Sequence, residues 1–143
     1  MAILNYTTKI DPITTIGQIS QCLVKHGCRK IVTDFDDTGL PIGVTFWIEM
    51  NGMPIYFSLP CRWEGVFNAL KNDKKVPRAL LNKQQALRVS WRIIKDWVEA
   101  QMAIVQAELA TTSEVFLPYA VTKDGKTIFE KISSGKTQLE LMQ

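Results

Sequence analysis

The sequence has no long apolar run, only three cysteines and a single histidine. No segment approaches the roughly 18 consecutive apolar residues that a membrane-spanning helix requires, and residues 1–6 lack the basic and apolar regions of a signal peptide. The cysteines, Cys22, Cys28 and Cys61, are odd in number and irregularly spaced, unlike a disulfide framework. We therefore predict free thiols, a reducing cytoplasmic compartment and no association with a membrane.

Composition and charge exclude further classes. The net charge of +3 is too small to identify a nucleic-acid binder by itself. With 46% apolar and 22% charged residues, the chain is neither disordered nor collagen-like. Its 143 residues suit one domain with a sizeable core. We predict a single domain over residues 1–132, followed by a flexible polar tail over residues 133–143.

Apolar periodicity predicts an α+β fold with a short N-terminal helix and one long central helix. The helices are expected over residues 15–26, 63–72 and 83–110, the first opened by a Thr15–Gln18 capping box and the last by an Asn82 cap. Apolar residues cover well over half of the circumference of the long helix. Such a helix is either covered by its own domain on two sides or shared with another copy. We predict a homodimer or higher homo-oligomer that is joined through this helix. Gln101 and Glu108 fall inside this apolar arc and would need partners if buried.

Alternating apolar and polar residues predict an antiparallel sheet of about three to five strands. We expect a β-prone start over residues 2–10, strands over residues 29–35, 43–50 and 53–59, and a last hairpin over residues 115–121 and 127–132. Asn51-Gly52 indicates a two-residue turn. Counting outward from it pairs Phe46 with Phe57 on the core face and Trp47 with Tyr56 on the opposite face.

The acidic segment after the first predicted strand is the main candidate for catalysis. Asp34, Asp36 and Asp37 follow an apolar strand, as in the first motif of haloacid-dehalogenase-type phosphatases. However, this strand enters a hairpin, and the later lysine and carboxylate motifs of that chemistry are missing. An acidic turn is the favoured interpretation. A weak cation site, or a small metal-dependent hydrolase at these three carboxylates, stays as an alternative.

Cysteine and histidine side chains are the other candidate metal ligands. Cys22, His26 and Cys28 could converge near the end of the first helix, with Cys61 as a fourth ligand, but this spacing matches no common zinc pattern. His26 is the only histidine, and no serine or cysteine context marks a nucleophile beside it. We therefore predict no metal, no cofactor and no catalytic residue.

Basic residues cluster between the predicted hairpin and the middle of the long helix. Together with nearby aromatic residues they could form a charged surface with stacking platforms, as used for single-stranded nucleic acid or nucleotides. The candidate binding residues are Trp47, Tyr56, Arg62, Lys74, Lys75, Arg78, Arg88, Trp91 and Arg92. The alternative is that the aromatic residues belong to the core and that the basic segment is a solvated loop.

Three segments, residues 2–10 (AILNYTTKI), 86–102 (ALRVSWRIIKDWVEAQM) and 115–119 (VFLPY), resemble a family of small hypothetical proteins from bacteriophages and prophages. The resemblance implies a phage origin and a bacterial cytoplasm, but no activity, cofactor or site. Small phage proteins without catalytic motifs often act by binding. The leading hypothesis is a non-catalytic accessory protein that binds a host macromolecule, protein or nucleic acid, for example as a counter-defence inhibitor. Nucleic-acid or nucleotide binding and metal-dependent hydrolysis are the alternatives.

Overall fold

The fold is an α+β arrangement of a three-stranded antiparallel sheet and five α-helices within residues 2–135. The computed structural model describes residues 2–135. The elements in chain order are α1 (Pro12–Lys25), β1 (Cys28–Phe35), β2 (Pro41–Met50), β3 (Met53–Pro60), α2 (Trp63–Asn72), α3 (Lys83–Gln106), α4 (Thr112–Phe116) and α5 (Ile128–Ser133). The predicted tail lies outside the described residues from position 136 onward, and its first residue, Ser133, is the last residue of α5.

The sheet has the register predicted from its turn. In the strand order β1-β2-β3, Phe46 pairs with Phe57 and Trp47 pairs with Tyr56. Both residues of the Asn51-Gly52 turn have positive φ, 52° and 77°, as a two-residue turn between twisted strands requires. The face bearing Phe46 and Phe57 is buried, which confirms the predicted core face.

The core lies between this face of the sheet and the helices. Phe46 stacks on Phe57 with 5.4 Å between ring centroids, and Phe116 of α4 meets Phe46 edge-on at 5.2 Å. The other core side chains contributed by helices are Ile16, Ile19, Leu23, Leu87, Trp91, Val98 and Met102. Because burial of apolar surface is the main favourable term in folding, this layer fixes the positions of α1 and α3 on the sheet.

Helix α1 begins earlier than predicted. Pro12 follows the N-cap residue Asp11, where the fixed φ of proline suits the first turn of a helix. The predicted Thr15–Gln18 capping box is therefore wrong, because both residues lie inside the helix. Their side-chain oxygens instead accept hydrogen bonds from Arg92 of α3.

Residues 2–10 contain a turn over residues 4–7 and no strand, so the predicted β-prone segment is wrong. Asn5 has a φ of 66°, and the amide of Thr8 donates to the carbonyl of Asn5 at 3.0 Å. The buried Gln85 of α3 holds this segment, because its Nε2 donates to the carbonyls of Tyr6 and Thr8 at 2.9 and 3.0 Å. The backbone donors and acceptors that a strand would pair with a sheet are thus used by turns and by α3.

The predicted C-terminal hairpin is wrong. The segment contains α4 and α5, and its only strand-like pairs within residues 2–135 are isolated bridges from Val121 to Thr127 and from Ala120 to Phe57 of β3. Each helix starts with a capping box, formed by Thr111 with Glu114 and by Thr127 with Glu130. These reciprocal bonds satisfy the first amides of a helix and explain why the alternating pattern does not produce strands.

The long helix α3 ends at Gln106 and not at the predicted residue 110. Two residues after this end, Glu108 has a φ of 59°. The buried residues of α3 lie between Gln85 and Met102, and the helix packs against α1, α2 and α4, while Gln85 also bonds to the N-terminal segment. Gln101 is half-buried and Glu108 is exposed, so neither is an enclosed polar group. The apolar arc is therefore covered mainly by its own domain. No helix in residues 2–135 has the length and apolar character needed to cross a membrane.

Candidate functional site

The nine predicted binding residues do not lie on one surface. They divide among the core (Trp91), the outer sheet face (Trp47, Tyr56), helix α3 (Arg88, Arg92), the α2–α3 connection (Lys74, Lys75, Arg78) and the start of α2 (Arg62). The prediction that Trp91 is a binding residue is wrong. It is 0% exposed, and its indole Nε1 donates to the carbonyl of Pro41 at 3.1 Å. A ring enclosed in this way has no free face on which a base could stack.

The aromatic pair Trp47 and Tyr56 lies on the sheet face opposite the helices. Tyr56 is 42% exposed, whereas Trp47 is half-buried. The pairing places Lys30 of β1 beside Trp47, so the row across the sheet reads lysine, tryptophan, tyrosine. The indole Nε1 of Trp47 is buried without a hydrogen-bond partner among residues 2–135. This pair is the part of the predicted stacking surface that is accessible.

Arg88 and Arg92 lie on the helical side of the sheet, away from the aromatic pair. The guanidinium of Arg92 donates to Gln18 and Thr15 of α1, and that of Arg88 donates to Gln85 at 3.3 Å. Both arginines are half-buried. Arg92 thus joins α1 to α3, whereas the hydrogen bond of Arg88 lies within α3 itself.

Lys74, Lys75 and Arg78 are exposed on the connection between α2 and α3. The two lysines border a depression of about 400 Å³ together with Ile3 and Asp73. The Asp73 carboxylate accepts a hydrogen bond from the amide of Lys75 at 2.9 Å. The connection is therefore a basic turn with an acidic residue inside it, and it lies beyond the C-terminal end of α2, whereas Arg62 precedes the N-terminal end.

The acidic turn after β1 is occupied by the chain's own groups. Asp36 Oδ2 accepts from Lys83 Nζ at 2.9 Å, and its Oδ1 accepts from Thr38 and from the amide of Leu40. The Lys83 ammonium and these hydrogen bonds hold the pKa of the Asp36 carboxyl well below its usual range. Residues 2–135 contain no group of three His, Cys, Asp or Glu side chains placed to hold a metal ion. This geometry favours a structural turn.

The cysteine and histidine group does not converge either. His26 Nδ1 lies 2.9 Å from the carbonyl oxygen of Cys22 at the end of α1, and the Cys28 thiol donates to the carbonyl of Lys30. Burial raises the pKa of the Cys61 thiol to about 12, against a smaller lowering by a hydrogen bond with Ser90. A thiol held protonated in this way is a poor nucleophile and a poor metal ligand.

A cleft lies beside Arg62, one of the predicted binding residues. It has a volume of about 320 Å³ and lies between the end of β3, α2, α3 and Tyr119. The residues that line this Arg62 cleft are Leu59, Pro60, Arg62, Val66, Ser90, Ile93, Ile94, Trp97 and Tyr119. Its walls are mainly apolar, and Arg62 is the only charged residue among the members of residues 2–135 that line it. Ligand sites typically combine apolar walls with a few polar groups that orient the ligand.

Aromatic contacts hold the cleft in shape. Trp97 meets Phe116 of the core edge-on at 5.6 Å and meets Tyr119 edge-on at 5.7 Å. At the other side the guanidinium of Arg62 lies over the ring of Phe129 in α5, 5.6 Å from its centroid, a cation–π arrangement. Tyr119 and Arg62 are therefore positioned by the C-terminal helices, which the sequence prediction had treated as a hairpin.

Sequence analysis identified Arg62 but none of the other residues that line the cleft as binding residues. The wide apolar arc of the long helix includes Ile93, Ile94 and Trp97. This arc is the sequence signal that could have indicated their role in a binding site. The sheet, α1 and α2 cover most of it, and these three half-buried residues remain at the cleft.

Comparisons with known proteins found no match. No protein-family model matches the chain, and no curated protein or solved structure is detectably similar to it. The resemblance to phage proteins thus remains a prediction.

Proposed function

We propose that the chain is a non-catalytic binding protein that recognises a host protein through the Arg62 cleft. The observation that carries this proposal is an open, mainly apolar cleft with one arginine at its rim. No carboxylate lies within ion-pair distance, 4.0 Å, of that arginine among residues 2–135. Together with the resemblance to phage proteins, this favours an accessory protein that acts in the bacterial cytoplasm, for example by inhibiting a defence protein.

A protein partner suits the cleft better than a small molecule. Small-molecule sites usually occupy about 300–1,000 Å³ and bury at least about 70% of the ligand, whereas this cleft lies at the lower limit and opens to solvent. Protein interfaces instead place one or two apolar anchor side chains in such recesses and surround them with polar contacts. We therefore expect the cleft to take an anchor side chain from a folded partner.

Nucleic acid is less well supported than protein. Nucleic-acid affinity needs several cations along one surface, and here the predicted arginines and lysines are divided among separate surfaces. The accessible aromatic pair also lies on the opposite side of the sheet from Arg88 and Arg92. Catalysis has little support as well, because the Cys61 thiol is held protonated and the Ser90 hydroxyl donates to the carbonyl of Ala86 at 2.7 Å.

Site-specific photo-crosslinking in bacterial cells tests the proposal. A benzophenone amino acid replaces Ile94 in the cleft or, as a control, Ile13, which is 59% exposed on α1 and does not line the cleft. We expect one host protein to crosslink at the first position only. That protein, once purified, should bind the wild-type chain, and Ile93→Glu should weaken binding at least about tenfold, because it places a charge on the apolar wall.

Two results would contradict the proposal. One is equal binding of the purified partner by the wild-type chain and the Ile93→Glu variant, provided that the variant retains its circular dichroism spectrum. The other is the absence of any cleft-specific crosslink in host cells.

A further inference from the structure

We infer that the anchor recognised by the Arg62 cleft is an apolar side chain with a carboxylate next to it in the partner's sequence. This inference rests on the proposed function and specifies its chemistry. The anchor is aromatic or aliphatic and fills the recess between α2 and α3, while the adjacent carboxylate pairs with the Arg62 guanidinium.

The walls of the recess select an apolar group. Val66 of α2 faces Ile93, Ile94 and Trp97 of α3 across the cleft, and these four side chains are each half-buried. An anchor between them removes apolar surface from water on both sides, which is the favourable term in such contacts. Ser90, which is buried, already donates within α3, so its hydroxyl has no free donor for a polar group in the cleft.

The rim selects a negative charge. Arg62 is exposed, and its guanidinium leans on the Phe129 ring without ion pairing to any carboxylate of residues 2–135. It is also the N-cap residue of α2, whose first amides have no side-chain cap and therefore add positive partial charge. Because a guanidinium can bind both oxygens of a carboxylate with matched geometry, an acidic side chain is the complementary group.

The acidic residues near Arg62 are Glu64 and Glu130, and neither forms an ion pair with it. Glu64 lies in the first turn of α2. The Oε1 atom of Glu130 accepts from the amide and the hydroxyl of Thr127 at 3.1 and 3.0 Å, in the capping box of α5. That capping arrangement, together with a weaker contribution from Arg62, holds the pKa of Glu130 below its usual range. Glu130 is thus committed to its own helix, and Arg62 is available to a partner.

The geometry also places the two recognition elements side by side. Pro60, Arg62 and Tyr119 border both the apolar cleft and a smaller neighbouring recess of about 190 Å³, which Phe129 and Glu130 also line. Arg62 therefore stands between two recesses. When a side chain of the partner occupies the larger recess, the next residue of the partner lies close to the Arg62 guanidinium, because adjacent Cα atoms are about 3.8 Å apart.

Peptide titration followed by NMR tests the inference. The probe is the hexapeptide acetyl-Gly-Ser-Phe-Asp-Ser-Gly-amide, and its matched controls carry Asn or Lys in place of Asp. The reporter is the indole N–H signal of Trp97 in the cleft, and the buried indole of Trp91 serves as an internal control. We expect the Asp peptide to shift the Trp97 signal and to bind about tenfold more tightly than the Asn peptide. The Lys peptide should bind more weakly still.

Variants of arginine residues measure how much of the peptide affinity comes from the Arg62 charge and how much from the apolar contact. Arg62→Gln should reduce the affinity for the Asp peptide to that for the Asn peptide. Arg29→Gln removes the same charge from an exposed position of β1 outside the cleft and should leave the affinity unchanged. Raising the salt concentration from about 0.05 to about 0.5 M should also narrow the difference between the Asp and Asn peptides, because exposed charges are screened.

The outcomes distinguish the inference from the proposed function. Equal binding of the Asp, Asn and Lys peptides, or an unchanged preference in Arg62→Gln, overturns the inferred chemistry and leaves the cleft as the binding site. Failure of all three peptides to shift the Trp97 signal, while the purified host partner still binds at the cleft, also overturns the inferred chemistry. Only the absence of a cleft-specific host partner removes the proposed function itself.

Discussion

Replacing Trp91 by phenylalanine tests the most consequential difference between the sequence prediction and the structure. Trp91 is fully buried, and its indole N–H donates to the carbonyl of Pro41 at 3.1 Å. Trp91→Phe leaves that carbonyl without its partner, at a cost of about 1–3 kcal/mol, and opens a cavity where part of the indole had been. We expect a total loss of about 2–4 kcal/mol of unfolding free energy, or about 10 °C in Tm for a chain of this size.

The matched control is the same substitution at Trp47. This tryptophan is half-buried, and its indole N–H has no hydrogen-bond partner among residues 2–135. Trp47→Phe therefore removes an unsatisfied donor together with some buried apolar surface, so we expect a loss below about 1 kcal/mol. Because the chemical change is identical, the difference in unfolding free energy between the two variants measures the effect of the surroundings of each tryptophan.

Urea unfolding monitored by far-ultraviolet circular dichroism measures both losses on one scale. The slope m should match that of the wild-type chain in each variant, so that the shift in midpoint reports stability. If Trp91→Phe costs no more than Trp47→Phe, Trp91 is not the enclosed, hydrogen-bonded residue described above. Trp91 would then be available for the binding surface that the sequence predicts.

Two further predictions concern the links between elements. The unfolded chain binds a proton at Asp36 near the ordinary pKa of 3.8, whereas the folded chain, in which Lys83 and other donors lower that pKa, binds it only at lower pH. The Asp36 contribution to stability is therefore complete above about pH 5 and is lost as the pH falls through about 4 towards the folded pKa. Urea midpoints measured from about pH 6 to about pH 3 should fall less steeply for Asp36→Asn than for the wild-type chain, and equal slopes would refute the assigned role. Arg92→Ala removes the side-chain bonds to Gln18 and Thr15 and should cost about 1–2 kcal/mol in urea unfolding, whereas a loss within about 0.5 kcal/mol, as at ordinary surface positions, would contradict a structural role.

Local signals predicted the sheet and the start of the long helix. Asn51-Gly52 set the turn, and because side chains alternate with a period of two, the turn alone determined which residues face the core. Asn82 likewise predicted the start of α3, where its side chain accepts from the amide of Gln85 at 2.7 Å. These features depend on a few adjacent residues, so they could be derived without knowledge of the fold.

The C-terminal segment shows how a local signal was misread. Alternating apolar residues favoured a hairpin over residues 115–132, but Thr111 with Glu114 and Thr127 with Glu130 have the spacing of capping boxes. In short segments of this kind, alternation does not discriminate a strand from a helix whose other side packs on a core. Packing of Phe116 against Phe46 and Trp97 provides the remaining stabilisation of α4.

Local patterns were sufficient to predict the α+β class, the register of the hairpin and the presence of one long, broadly apolar helix. Long-range packing determines which parts of that apolar arc are covered and which line the Arg62 cleft. It also places Trp91 in the core and Trp47 outside it. The physical reason is that periodicity and turn chemistry act over a few residues, whereas burial depends on which distant segments pack together. The cleft combines β3, α2, α3 and Tyr119, and no local pattern encodes their meeting.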